Sequence, residues 1–321
     1  MRSAVLILLA TLVAVSASAA AKKPVARKAK AKAKPAATVQ AAKTPGLSQS
    51  AHRRDPYVGA ISADAKTGRI LFEDNAEAIA YPASVTKLMT AFLVLEDVRA
   101  GKYGLADRVT ATPEAYHSES SWVGIRAGQS MTVDDLLMAL MVTSANDAAI
   151  VLGVKSAGSL DAFVARMNAR ARELGMTNTQ YFNPNGLPPN SRKRYPWKEF
   201  NRTTASDQLK LALAVVKMPE IFRYTSAKTA TVTDGNGQPL KMMNHNRILR
   251  MDKFHIINPD GTEAVDGLKT GYIDAGGSSI VLTGSRRGKR AIVVVLGSAS
   301  SDLREEHASR LMRDALGALS W

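Results

Sequence analysis

Three short stretches hold residues that could carry out acyl transfer together. "YPASVTKLMT" (81–90) places Lys87 three residues after Ser84, at the mouth of an apolar run continued by Ala91, Phe92 and Leu93. Burying an ammonium there is costly, so its presence asks for a use. Residues three apart share a helical face, which lets the Lys87 nitrogen approach the Ser84 hydroxyl. At a helix N-terminus the backbone dipole opposes a positive charge, and partial burial favours the neutral amine. Such an amine can take the proton of Ser84 and make it a nucleophile. Backbone N–H groups of the same terminus point where an oxyanion would form.

Each signal is weak by itself. On the order of one S-x-x-K match arises by chance in a chain this long, and an exposed Lys would explain it. Ser144-Ala145-Asn146 in "TSAND" is the chain's one S-x-N, and a capped helix start would explain that equally well. K-T-G occurs twice. Lys66-Thr67-Gly68 precedes Ser84 where a hairpin must turn, and reads as turn chemistry. Lys269-Thr270-Gly271 follows Ser144 and is expected to begin a strand. Only this second copy keeps the order S-x-x-K, S-x-N, K-T-G.

Other chemistries lack their marks. The five His residues (52, 117, 245, 255 and 307) show no metal-ligating spacing, and they read as surface or structural residues. No G-x-S-x-G elbow is present. With no Cys in the chain, thiolate catalysis, disulfides and Cys-ligated metals are excluded. The expectation is a serine nucleophile with a base other than His, and neither metal nor cofactor.

The elements that must position these residues follow from periodicity. "YVGAISADAKTGRILFED" alternates and breaks at Lys66-Thr67-Gly68, a β-hairpin. Helical patterns cover 84–99, about 132–142, about 145–156, 159–174 and 205–217. "GLKTGYI", "SSIVLTGSRRG" and "KRAIVVVLGSA" read as three strands, the last two joined by a tight Arg-Arg-Gly turn. A final helix is expected over about 301–319. Strands, then helices, then strands and a helix make an α+β domain: one antiparallel sheet flanked by helices, with an inserted helical region.

The formal net charge of +15 belongs mostly to one end. Residues 1–54 hold 11 of the 43 Lys and Arg and none of the 28 acids. The remaining 32 basic and 28 acidic residues nearly balance, so no nucleic-acid face is expected on the folded part. Residues 1–20 read as a signal peptide: one basic residue, an apolar run from Ala4 to Val15, and an A-x-A pattern at Ala17-Ser18-Ala19. That run is short of the roughly 20 residues needed to span a bilayer, so cleavage near Ala19 and export to the periplasm or cell envelope are expected. Residues 21–54 form an Ala/Lys/Pro-rich basic linker of disorder-prone composition, either a tether drawn to anionic envelope surfaces or a spacer. Residues 55–321 remain as one catalytic domain.

The ordered triple is shared by penicillin-binding proteins and class A β-lactamases. From about Tyr57 to Trp321 the chain resembles the low-molecular-mass penicillin-binding proteins, the D-alanyl-D-alanine carboxypeptidase family of serine peptidases. "YPASVTKLMTAFLVLE", "LLMALMVTSANDAA", "YFNPNGL", "NHNRIL" and "VDGLKTGYIDAGGSSIVLTG" carry the resemblance. It implies a β-lactamase/transpeptidase-like fold, peptidoglycan stem peptides as substrate and β-lactams as inhibitors. By position it makes Ser84 the acylated nucleophile, Lys87 its base and Ser144 a proton relay to the leaving group. Asn146 would hold the substrate's amide, Lys269 would supply positive potential, and Thr270 would meet the terminal carboxylate through a charge-assisted bond. Backbone N–H groups of Ser84 and Tyr272, beside Gly271, would form the oxyanion hole.

The chain departs from the family pattern at Tyr272 and Ile273, where many relatives have His and Thr, and at Asn185, where His is frequent. The β-rich domain and anchoring helix that follow the catalytic domain in larger carboxypeptidases are not expected here, a truncation shared with smaller DD-endopeptidases. An endopeptidase acting on cross-links is therefore the alternative. A class A β-lactamase would need a deacylating Glu on an E-x-x-L-N loop, which is absent. A non-catalytic cell-wall-binding module would most naturally have lost one of the three motifs.

Overall fold

The computed structural model describes residues 56–117, 121–189 and 199–319. The expected signal peptide and the whole of the basic linker lie outside them. Two alternating strands, β1 (Gly59–Asp64) and β2 (Ile70–Asp74), pair antiparallel. Asp64 builds the turn between them by accepting the Lys66 amide and the Thr67 hydroxyl, both at 2.8 Å. The first K-T-G is thus a turn, as expected.

The helix expected over 84–99 divides in two. Ala83–Thr86 form a 3-10 turn, and α1 (Lys87–Arg99) begins at the lysine itself. α1 is buried from Leu88 through Leu95, as befits a helix apolar on every side. Short strands β3 (Arg108–Thr110) and β4 (Ser130–Thr132) pair before α2 (Val133–Val142), whose N-cap Thr132 accepts the Asp135 amide at 3.0 Å. Then come α3 (Asn146–Ala157), α4 (Leu160–Glu173), α5 (Ala205–Val215) and α6 (Ile221–Thr225). Strands β5 (Thr229–Thr233) and β6 (Pro239–Met243) form a hairpin. The chain continues with β7 (Val265–Ile273), β8 (Gly277–Arg286), β9 (Lys289–Ser298) and α7 (Ser301–Leu319).

The main sheet is antiparallel in the order β2-β1-β9-β8-β7. Successive residues of a strand face opposite sides, and β9 shows the consequence. Ile292, Val294 and Leu296 enter the core shared with α1 to α5, whereas Ala291, Val293 and Val295 enter a second core closed by Leu311, Met312 and Leu316 of α7. The molecule is α+β, with helices on both faces and the helical region inserted between β2 and β7.

Two expectations need correction. Among the described residues two short two-stranded sheets accompany the main one: β3 and β4 span three residues each and leave no alternation to read, and β5–β6 is a separate hairpin. K-T-G does not begin its strand: β7 starts four residues earlier, at Val265, and Lys269-Thr270-Gly271 lies in its second half.

Candidate active site

Ser84 sits in the 3-10 turn, where three residues per turn bring positions i and i+3 into line. Lys87 Nζ is 2.8 Å from Ser84 Oγ. The same nitrogen donates to Asn146 Oδ1 and to the backbone carbonyl of Asn185, both at 2.7 Å. Those two partners can only accept, whereas a hydroxyl can also donate. A charged Lys87 donates to all three oxygens, Ser84 Oγ included; a neutral Lys87 keeps both carbonyl bonds with its two N–H groups and turns its lone pair toward the Ser84 proton. Burial first, and then the nearby Lys269 ammonium, hold Lys87 well below the usual lysine range, with Asp147 opposing them.

Local strain and close packing hold this turn. Ala83 has φ 49, a region sparsely used by residues with a Cβ. Gly186 (φ +81) lies against it so closely that a Cβ there would be 1.9 Å from the Ala83 carbonyl oxygen. From the sheet side comes Gly271, where a Cβ would meet Pro82 O at 2.5 Å and the amide nitrogens of Ser84 and Val85 at 3.0 Å. The glycine of K-T-G thus lets the edge strand β7 lie alongside the Ser84 amide.

Lys269 is buried and donates to Thr270 O at 2.9 Å. Burial, followed by the charge of Arg304, brings it down to about 7. Thr270 is buried on the same strand. Tyr272 is exposed, and its hydroxyl donates to Asp274 Oδ1 at 2.7 Å.

Ser144 precedes α3 with φ 61, and its buried Oγ has no hydrogen-bond partner among the described residues. The helix-cap explanation of S-x-N does not hold: the N-cap of α3 is Ala145, with no side-chain cap bond. Asn146 instead turns its carbonyl oxygen to Lys87.

The structure adds residues that the sequence reading left out. Arg304 of α7 is buried, donates to Gly271 O at 3.3 Å and pairs with Glu305. It therefore supports the K-T-G strand from behind. His245 is solvent-accessible, yet partial desolvation, then Lys269, Lys87, Arg250 and Arg304, hold its imidazole down to about 4. It belongs to this cationic cleft rather than to unrelated surface, and "NHNRIL" was the signal available for it. Asn185 contributes through its backbone, so the departure from His at that position leaves the Lys87 bond intact. Among the described residues, no group of three or more His, Asp or Glu is placed to hold a metal ion. No single helix among them is long and apolar enough to cross a membrane.

A family model described as D-alanyl-D-alanine carboxypeptidase matches residues 50–300. The D-alanyl-D-alanine carboxypeptidase DacF of Bacillus subtilis is 28% identical over 79% of this chain and 60% of its own. A D-alanyl-D-alanine endopeptidase of Pseudomonas aeruginosa is 29% identical over 79% of this chain and 75% of its own. The chain spans about three-fifths of the length of the first carboxypeptidase relatives it matches. Among solved structures, a peptidoglycan synthesis regulatory factor (PBP3) from Streptococcus pneumoniae aligns with TM-score 0.70 and 32% identity, covering 80% of this chain and 72% of that one. Penicillin-binding protein D2 from Listeria monocytogenes, solved in its ampicillin-bound form, aligns with TM-score 0.67 and 29% identity, covering 81% and 97%.

Proposed function

The chain belongs to the D-alanyl-D-alanine carboxypeptidase family, and on that premise we propose that it is a penicillin-sensitive serine D-alanyl-D-alanine carboxypeptidase acting on peptidoglycan stem peptides. The observation that carries the reading is the 2.8 Å contact between Ser84 Oγ and Lys87 Nζ, with the other two Lys87 partners both carbonyl oxygens. Lys87 takes the Ser84 proton as Oγ attacks the carbonyl between the two D-Ala residues. The Ser84 and Tyr272 amides receive the oxyanion, and Ser144 passes a proton to the departing D-Ala amine. Water then hydrolyses the acyl-enzyme. The substrate lies along edge strand β7, whose backbone suits an extended peptide. Asn146 holds the substrate's amide, and Lys269 with Thr270 holds its terminal carboxylate.

Cross-link cleavage is the second reading, supported by the Pseudomonas endopeptidase, which the chain matches over more of its length than DacF. The protein works in the periplasm or cell envelope, to which residues 1–20 would direct it, with residues 21–54 as a basic linker.

The test incubates the protein with a labelled penicillin, purified pentapeptide stems and cross-linked dimers. We expect label on Ser84 and release of D-Ala from stems; dimer cleavage alone would favour the endopeptidase. Lys87→Ala should slow acylation by about 10²–10⁴-fold, the usual contribution of a general base, whereas Lys66→Ala should leave it unchanged. Label on any other residue, or none on the folded protein, overturns the assignment.

A further inference from the structure

Asp147 is fully buried at the start of α3, next to Asn146. Its carboxylate accepts four backbone amides: Val123 at 3.1 and 3.2 Å, Gly124 at 2.9 Å, Ile125 at 3.3 Å and its neighbour Ala148 at 2.9 Å. Three of them come from a segment more than twenty residues away. In return, the Asn146 amide donates to Ser121 O at 2.7 Å. The Ser121–Ile125 segment, with its exposed Trp122, is therefore bolted on both sides to the turn that carries Ser144 and Asn146. All of these carboxylate partners are donors, so a protonated carboxyl would set its O–H among groups that cannot accept it. The cradle fits the anion.

We propose that Asp147 is a positioning residue for the reaction: its carboxylate fastens the 121–125 segment to the S-x-N turn, one residue from the Asn146 side chain that accepts from Lys87. The inference rests on the reading of Ser84 and Lys87 as nucleophile and base. Lys269 on β7 is the cation that acts on Lys87; Arg304 on α7, paired with Glu305, acts in turn on Lys269, and Arg250 after β6 acts on His245. His245 lies there too and is neutral at neutral pH. Against these cations Asp147 supplies the opposing charge that favours the Lys87 ammonium. Burial pushes its own carboxyl above the usual range while the amides pull it down, so acidification would loosen the cradle.

The experiment follows acylation of the full chain by a fluorescent penicillin between pH 5 and 9, for wild type and Asp147→Asn, with hydrogen exchange of the 123–125 amides. Removing the anion makes the Lys87 ammonium less favourable. The rising limb of the variant's rate profile should therefore move to lower pH by about one unit, as expected for loss of an opposing charge at a buried site. The plateau should fall roughly tenfold or more as the segment loosens. The three amides should be protected in wild type at pH 7 and should exchange faster in the variant. A limb that stays at the wild-type pH overturns the electrostatic role, and unprotected wild-type amides overturn the fastening. Should Asp147→Asn not fold, wild-type exchange decides: joint protection of the 123–125 amides at pH 7 supports the fastening, and exchange at unprotected rates overturns it. Absence of any Ser84 label in wild type would instead defeat the reading of the site, whatever the exchange shows.

Discussion

At the scale of single residues, the site is a set of cations held in places that disfavour them. Lys269 is 2% exposed and burial brings it down to about 7, whereas an unfolded lysine stays protonated to about 10.4. Between those values the unfolded chain binds a proton that the native protein does not, so stability rises with pH, by up to about 1.4 kcal/mol per unit. Below about 7 both states are protonated and the dependence disappears. Lys87 acts in the same direction. Tyr57, Tyr103, Tyr181 and Tyr224, all raised chiefly by burial, oppose it only above about 10. Lys269→Met should therefore unfold at a higher temperature than wild type at pH 7, with the gap closing toward pH 9.5. The same variant should be poorly acylated. Parallel thermal-unfolding curves across pH 6 to 9.5 would show that Lys269 carries no such penalty. Ser84, Lys87 and Lys269 were legible because their side-chain types and their order stand in the sequence itself. The Asn185 carbonyl was not, because any residue could supply that backbone oxygen from 98 positions away.

At the scale of elements, the site depends on how closely β7 approaches the 3-10 turn at Ser84. Gly271 permits that approach, and the atoms its Cβ would strike are all backbone, which cannot swing aside as a flexible side chain can. Gly271→Ala should push strand and turn apart, and a displacement near 1 Å can cost on the order of 10² in rate. Gly317 in α7 provides the contrast, since a Cβ there meets nothing within 4 Å. Gly317→Ala should leave acylation unchanged and stabilise the helix by about 0.5–1 kcal/mol. Penicillin acylation rates and melting temperatures of the two variants check both statements, and full activity in Gly271→Ala would show that the contact is not required. Longer elements such as β8, β9 and α7 could be read from periodicity alone. The division at Thr86–Lys87 could not, because a 3-10 turn and the first turn of an α-helix share the same apolar pattern. Arg304 was hidden for a related reason: its partner, the Gly271 carbonyl, is reached only once α7 packs on the sheet.

At the scale of the whole molecule, charge is divided unevenly. Eight Lys or Arg and no acid lie between Lys22 and Lys43, whereas residues 55–321 hold 32 basic against 28 acidic groups. Such a run attracts anionic surfaces over distances set by salt, about 8 Å at physiological ionic strength. The cleft, by contrast, is assembled entirely from residues between Ala83 and Arg304. If the basic segment tethers the protein to the envelope, deleting residues 20–50 should release it from cell-wall or anionic-lipid preparations at low salt. Turnover of a small soluble peptide should not change, because no group of the cleft is removed. Raising the salt concentration should make the full-length protein behave like the deletion. Equal retention of both forms at low salt would reduce the segment to a spacer, and reduced turnover by the shortened protein would show that the segment also acts on the catalytic domain.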